Sequence, residues 1–151
     1  MKPRLNHFKA SPQAYQAQLA LSQFVDQCGL EPSLWELVKI RASQINGCAY
    51  CLEMHTREAA AAGETAPRLH LVAAWHESPL YTERERAALA WTEAVTLVAS
   101  SRVPDDVFAQ ARAHFNDTEL VNLTLAIGVI NTWNRLAVSF RAVHPLPNQA
   151  I

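Results

Sequence analysis

Apolar positions recur along the chain at intervals of three and four residues, and no segment alternates with the two-residue period of a strand. The first periodic stretch runs from Ser11 to Gly29. Ser11 stands as an N-cap, Pro12 occupies the first helical position and Gly29 is the stop. Leu21, Phe24, Val25 and Cys28 form its apolar stripe. A second helix is predicted from Ser33, which has the capping-box spacing to Glu36, and it ends at Asn46-Gly47. A third follows at once and stops at Gly63, and a shorter one covers 66–76 before Ser78-Pro79. Thr82 and Glu85 repeat the capping-box spacing at the head of the segment 82–100. Pro104 opens the next helix, and residues 117–143 are apolar enough for a central one. No linker, repeat or low-complexity tract interrupts the pattern. The expectation is one all-α domain over residues 1–151, a bundle of about six to seven helices.

Composition narrows the function classes. A chain of 151 residues, 50% of them hydrophobic, can bury a core of its own. A net charge of -1 and a pI near 6.6 give no electrostatic reason to expect nucleic acid or an anionic membrane as partner. The N-terminal segment 1–18 is basic but has no apolar run behind it, so no signal peptide is expected. The expected compartment is the cytoplasm. Thiols stay reduced there, and a close cysteine pair is catalytic or metal-binding more often than a structural staple.

Such a pair lies in "INGCAYCLEMH", residues 45–55. At ~100° per residue, Cys48, Cys51 and His55 fall on one face of a helix. Cys48 sits in the first turn, where free backbone N–H groups and the helix dipole favour a thiolate. Cys51 is four residues from His55, a spacing at which imidazole and sulfur meet. Two thiols beside a base have the parts of a dithiol catalyst, in which one sulfur attacks and the other resolves the product. If the second and third helices fold into a hairpin at Asn46-Gly47, Glu36 and His55 come within roughly 5 Å in level along it, near enough for a proton relay. Glu36 has a rival role as the third residue of the capping box. Zinc is a rival for Cys48, Cys51 and His55, but a closed site wants four ligands and no second pair stands at motif spacing. Ordinary buried thiols are a third reading.

Glu36 followed by "CAYCLEMH" resembles the active-site signature of the AhpD-like alkylhydroperoxidases, within the carboxymuconolactone decarboxylase superfamily. The resemblance covers residues 34–63 and implies an all-helical fold. It implies catalytic roles for Cys51, Cys48, His55 and Glu36, and no bound cofactor or metal, because sulfur carries the electrons. It further implies a hydroperoxide substrate, an external thiol or disulfide reductant, and a homo-oligomer, trimer or hexamer. Tyr50 stands where the best-known branch has histidine, and its phenol can still donate a hydrogen bond in the relay. The decarboxylases proper typically lack the cysteine pair. On this reading Cys51, beside His55, attacks the peroxide and Cys48 closes the disulfide. Two alternatives stand beside it: a noncatalytic redox-sensing or scaffold oligomer, and a decarboxylase-like enzyme.

The remaining polar and sulfur-bearing residues carry structural expectations. Cys28, on an apolar helix face, is expected to be structural. Asn131, Asn134 and Arg135 interrupt the most apolar helix and suggest a satisfied buried network or a subunit contact. His70, His76 and His114 lack companions at meaningful spacing and are expected at the surface.

Overall fold

The structure is a computed structural model that describes residues 2–144. It is all helical, as the periodicity requires. The order is α1 (His7–Ala10), α2 (Pro12–Asp26), α3 (Pro32–Asn46), α4 (Ala49–Ala61), α5 (Ala66–Leu71), a 3-10 stretch (Val72–Glu77), α6 (Glu83–Thr96), α7 (Val98–Ser101), α8 (Asp105–His114) and α9 (Asp117–Phe140). The two helices beyond the expected count are the single turns α1 and α7, too short to leave a periodic signature. No helix among the described residues is long and apolar enough to cross a membrane.

Helix ends follow local chemistry, with one correction. Thr82 and Glu85 form the expected capping box, and Asn116 with Glu119 forms a second one at the head of α9. The box foreseen for Ser33 and Glu36 does not form, because α3 begins earlier, at Pro32, with Glu31 as N-cap. Proline at the first helical position sets φ for the helix and forces the preceding residue to extended backbone, so the boundary falls between Glu31 and Pro32. Glu36 is thereby released from capping and sits in the second turn. Ser11 is the N-cap of α2, yet its side chain makes no capping bond.

Helix α3 packs against α4, α6 and α9. The main core joins Val25, Leu34, Val38, Trp91, Phe115, Leu123 and Ile127, drawn from α2, α3, α6 and α9 and the turn after α8. A second cluster gathers Leu37, Ile40, Trp75 and Leu89 on the other side of α3. Burying each such side chain stabilises the fold by about 1.5–3 kcal/mol, which makes α3 a rigid base for whatever it carries. Every indole N–H is satisfied: Trp35 on Asp26, Trp75 on Glu93, Trp91 on Thr124 and Trp133 on Ser22. On α2, Val25 is buried and Leu21 and Cys28 pack against the core, consistent with a structural Cys28. Phe24, expected on the same stripe, is 50% exposed at its edge.

Candidate active site

Helices α3 and α4 form the hairpin that the Asn46-Gly47 signal foresees. Gly47 takes the left-handed conformation (φ 65°, ψ 33°), which glycine adopts at no steric cost, and reverses the chain. Cys48 then becomes the N-cap of α4, and its Sγ accepts a hydrogen bond from the Cys51 backbone N–H at 3.3 Å. Sulfur here fills the place an Asp or Ser oxygen would take. Cys48, Cys51 and His55 are all buried, and the two cysteines pack with Ala137 of α9, with Tyr50 against them.

The two sulfurs are not equivalent. A hydrogen bond from the Cys51 thiol, supported by backbone N–H groups at the helix start, holds the Cys48 thiol down to about 7 against the opposing effect of burial. The same bond, together with burial, pushes the Cys51 thiol up. At rest the negative charge therefore belongs on Cys48 and the proton on Cys51. Placing Cys51 beside His55 does not by itself make it the resting thiolate.

Glu36 and His55 meet across the hairpin, with His55 Nδ1 lying 3.7 Å from Glu36 Oε2. That oxygen is buried and otherwise without a hydrogen-bond partner. Glu58, one turn along α4, comes to 3.3 Å of the same Nδ1. Lys39 pairs with the other oxygen of Glu36 at 2.6 Å. Burial and the Lys39 ammonium push the imidazole down to about 3, so His55 is neutral at physiological pH. The carboxylates mark Nδ1 as the N–H end of the ring, which leaves Nε2 as the acceptor. Burial raises the Glu36 carboxyl, and Lys39 opposes it. Glu58 and Lys39 were not singled out in the sequence, although His55-x-x-Glu58 and Glu36-x-x-Lys39 both have the spacing of helical neighbours.

Cys51 and His55 line a cavity of about 430 Å³. Phe8, Tyr15, Trp35, Tyr50, Met54 and Trp133 supply its apolar walls, so α1, α2 and α9 all close over the hairpin. Tyr50 contributes its ring to this wall.

Among the described residues, Glu36, His55 and Glu58 bring ligand-capable atoms within 4.8 Å of one another, a grouping that contains neither cysteine. Lys39 already supplies a positive charge to it. Asn131 and Asn134 form the satisfied buried network foreseen for them, joined by Arg135 through Asn131. His70 and His76 are exposed, whereas His114 is half-buried.

The chain is an all-helical bundle carrying a buried dithiol at a helix start, with a carboxylate–imidazole pair beside it. Residues 12–94 match the carboxymuconolactone decarboxylase family, and the chain belongs to that family as an AhpD-like member. The uncharacterized protein YdfG of Bacillus subtilis (strain 168) is 37% identical over 139 residues, which span 92% of this chain and 95% of YdfG. A solved structure from Agrobacterium tumefaciens superposes with a TM-score of 0.94 at 51% identity, over 96% of this chain and 99% of that one. That protein is described as one of unknown function and as a candidate antioxidant defence protein AhpD. The debrominase Bmp8 shares the fold, with a TM-score of 0.83 at 18% identity over 91% of this chain and 74% of its own.

Proposed function

We propose that the protein is a dithiol peroxidase of the AhpD type that reduces organic hydroperoxides at Cys48 and Cys51. One observation carries the reading: Cys51 and His55 line a single cavity, and Cys48 caps the same helix one turn away, its Sγ accepting a hydrogen bond from the Cys51 backbone N–H. Neutral His55 takes the proton of Cys51, and Glu36 stabilises the imidazolium that forms. The Cys51 thiolate attacks the peroxide, the O–O bond breaks, and the alkoxide leaves as the alcohol with that proton. Cys51 becomes a sulfenic acid. The Cys48 thiolate then attacks the Cys51 sulfur, hydroxide leaves to be protonated to water, and the disulfide closes. An external dithiol returns the two electrons by thiol–disulfide exchange. The lowered Cys48 thiol suits this order, because the resolving sulfur gives up its proton more readily than the attacking one.

The walls favour a small organic hydroperoxide over a protein disulfide as the oxidant. A cavity of this size, walled largely by aromatic side chains, suits a small apolar molecule, and Cys51 at 2% exposure offers a protein disulfide little approach. The test is turnover of an organic hydroperoxide with a panel of dithiol reductants. The expected result is catalytic consumption with at least one of them. Peroxide that is never consumed beyond one equivalent, with every reductant, would overturn the reading.

The reading includes a homo-oligomer. Helix α9 turns Val121, Leu125, Gly128, Thr132 and Leu136 along one outward line, between two shallow apolar grooves that also involve Phe108 and Phe140. Val121 is 66% exposed, an apolar face of the kind that self-association covers. Light scattering at low micromolar concentration is expected to give a multiple of the 16.8 kDa chain mass. Val121→Arg is expected to reduce it. A fully active monomer of the natural sequence would refute the assembly.

A further inference from the structure

Two carboxylates approach the same nitrogen of His55, and they differ in distance and exposure. Glu58 Oε2 lies 3.3 Å from Nδ1, within hydrogen-bond reach. Glu36 Oε2 lies at 3.7 Å and, although buried, has no hydrogen-bond partner. A single N–H aims best at one acceptor, and the shorter distance gives it to Glu58. The Glu58 side chain is 45% exposed, against 20% for Glu36 and 9% for His55. Helix α4 gains nothing from an acid there, because Glu58 stands in its last turn, where a negative charge opposes the helix dipole. Among the described residues no lysine or arginine forms an ion pair with Glu58, whereas Glu36 has Lys39 at 2.6 Å.

We propose that Glu58 is a positioning residue of the relay: its carboxylate oxygen accepts the Nδ1–H of His55 and fixes the ring with Nε2 free to take a proton. Exposure decides which property of each acid matters. A charge at the surface is screened by water and salt, but its oxygen still accepts a well-aimed N–H. A charge buried beside the imidazole is screened much less. Glu36 therefore acts chiefly through its charge, and Glu58 chiefly as an acceptor. The other charge near the ring is Lys39, which is held by the far oxygen of Glu36 and has no acceptor to offer. Glu58 and His55 are three residues apart on one helix, so α4 alone sets their separation. The approach of Glu36 depends instead on how α3 packs against α4. Glu58, His55 and Cys51 line the same cavity, so the ring that Glu58 holds is the one that shares the cavity with the attacking sulfur.

The inference rests on the peroxidase reading for its effect on turnover, but its test reads the ring directly. His55 is uncharged at neutral pH, so the nitrogen NMR shifts of its ring report which nitrogen carries the proton. The natural chain is expected to show the Nδ1–H form. Glu58→Leu keeps a good helix former at the position, removes the acceptor and keeps water from taking its place. It should move the ring toward the Nε2–H form and lower kcat about tenfold, the contribution of one hydrogen bond to a charged group. Glu58→Gln, whose side-chain oxygen still accepts, should keep the Nδ1–H form and recover most of that loss. A natural chain in the Nε2–H form overturns the proposal, and so does an unchanged ring in folded Glu58→Leu. Equal loss of the Nδ1–H form in Glu58→Gln and Glu58→Leu also overturns it, because the charge and not the acceptor would then hold the ring. If Glu58→Leu does not fold, Glu58→Met makes the same comparison. Ring shifts as expected in a natural chain that turns over no hydroperoxide would count against the peroxidase reading and not against Glu58.

Discussion

Cys51→Ser is expected to lower peroxidase turnover to the uncatalysed background, whereas Cys48→Ser is expected to stop the cycle after one chemical step. The asymmetry follows from the positions of the sulfurs. Cys51 lines the cavity with His55, and Cys48 is the N-cap of α4. In Cys48→Ser the thiolate that raises the Cys51 thiol is gone, so Cys51 should deprotonate more readily and form its sulfenic acid no more slowly. That acid would then persist for want of a resolving sulfur and should be trapped by dimedone. In the natural chain, peptide mass mapping after mild peroxide should find a disulfide between residues 48 and 51, with Cys28 still free. A sulfenic acid on Cys48 in the Cys51→Ser chain, with Cys48→Ser inert toward peroxide, would exchange the two roles. Undiminished turnover in both variants would end the dithiol mechanism.

Glu36→Gln is expected to lower the rate by about 100-fold, the usual contribution of an acid–base partner, with little change in melting temperature. The residue lies too deep in α3 to act as a cap, so a capping loss cannot account for a change in rate. Gln keeps most of the size of Glu and an oxygen that still accepts from Lys39, now bonded to Glu36 at 2.6 Å. What it removes is the charge 3.7 Å from His55 Nδ1, which would stabilise the imidazolium formed in transit. Lys39 keeps an oxygen acceptor in the variant, so it is not left buried without a partner. Unchanged turnover in Glu36→Gln would reduce Glu36 to the anchor of Lys39.

The local periodicity of the chain determined the helices and their order, and with them the shared face of Cys48, Cys51 and His55. Gly47 reversed the chain where its lack of a side chain permits φ of 65°, so the hairpin and the meeting of Glu36 with His55 were also legible. These are properties of neighbours within a few turns, and hydrophobic spacing and end signals encode neighbours well. The start of α3 was misplaced only because capping-box spacing outweighed the stronger constraint from Pro32.

Tertiary packing decided the rest. The cavity walls come from α1, α2 and α9 as well as the hairpin, and no spacing within one helix says which others will close over it. Which sulfur gives up its proton more readily depends on the contacts made after burial, from the other thiol and from backbone N–H groups at the helix start. Asn134 was legible as a buried polar residue on an apolar helix, but its partners on α3 were not. Its amide acquires a direction only when Asn46 and Ser43 of α3 take up its other bonds. Periodicity tells which side of a helix faces inward, whereas the strength of a charge inside depends on the atoms that distant segments bring to it.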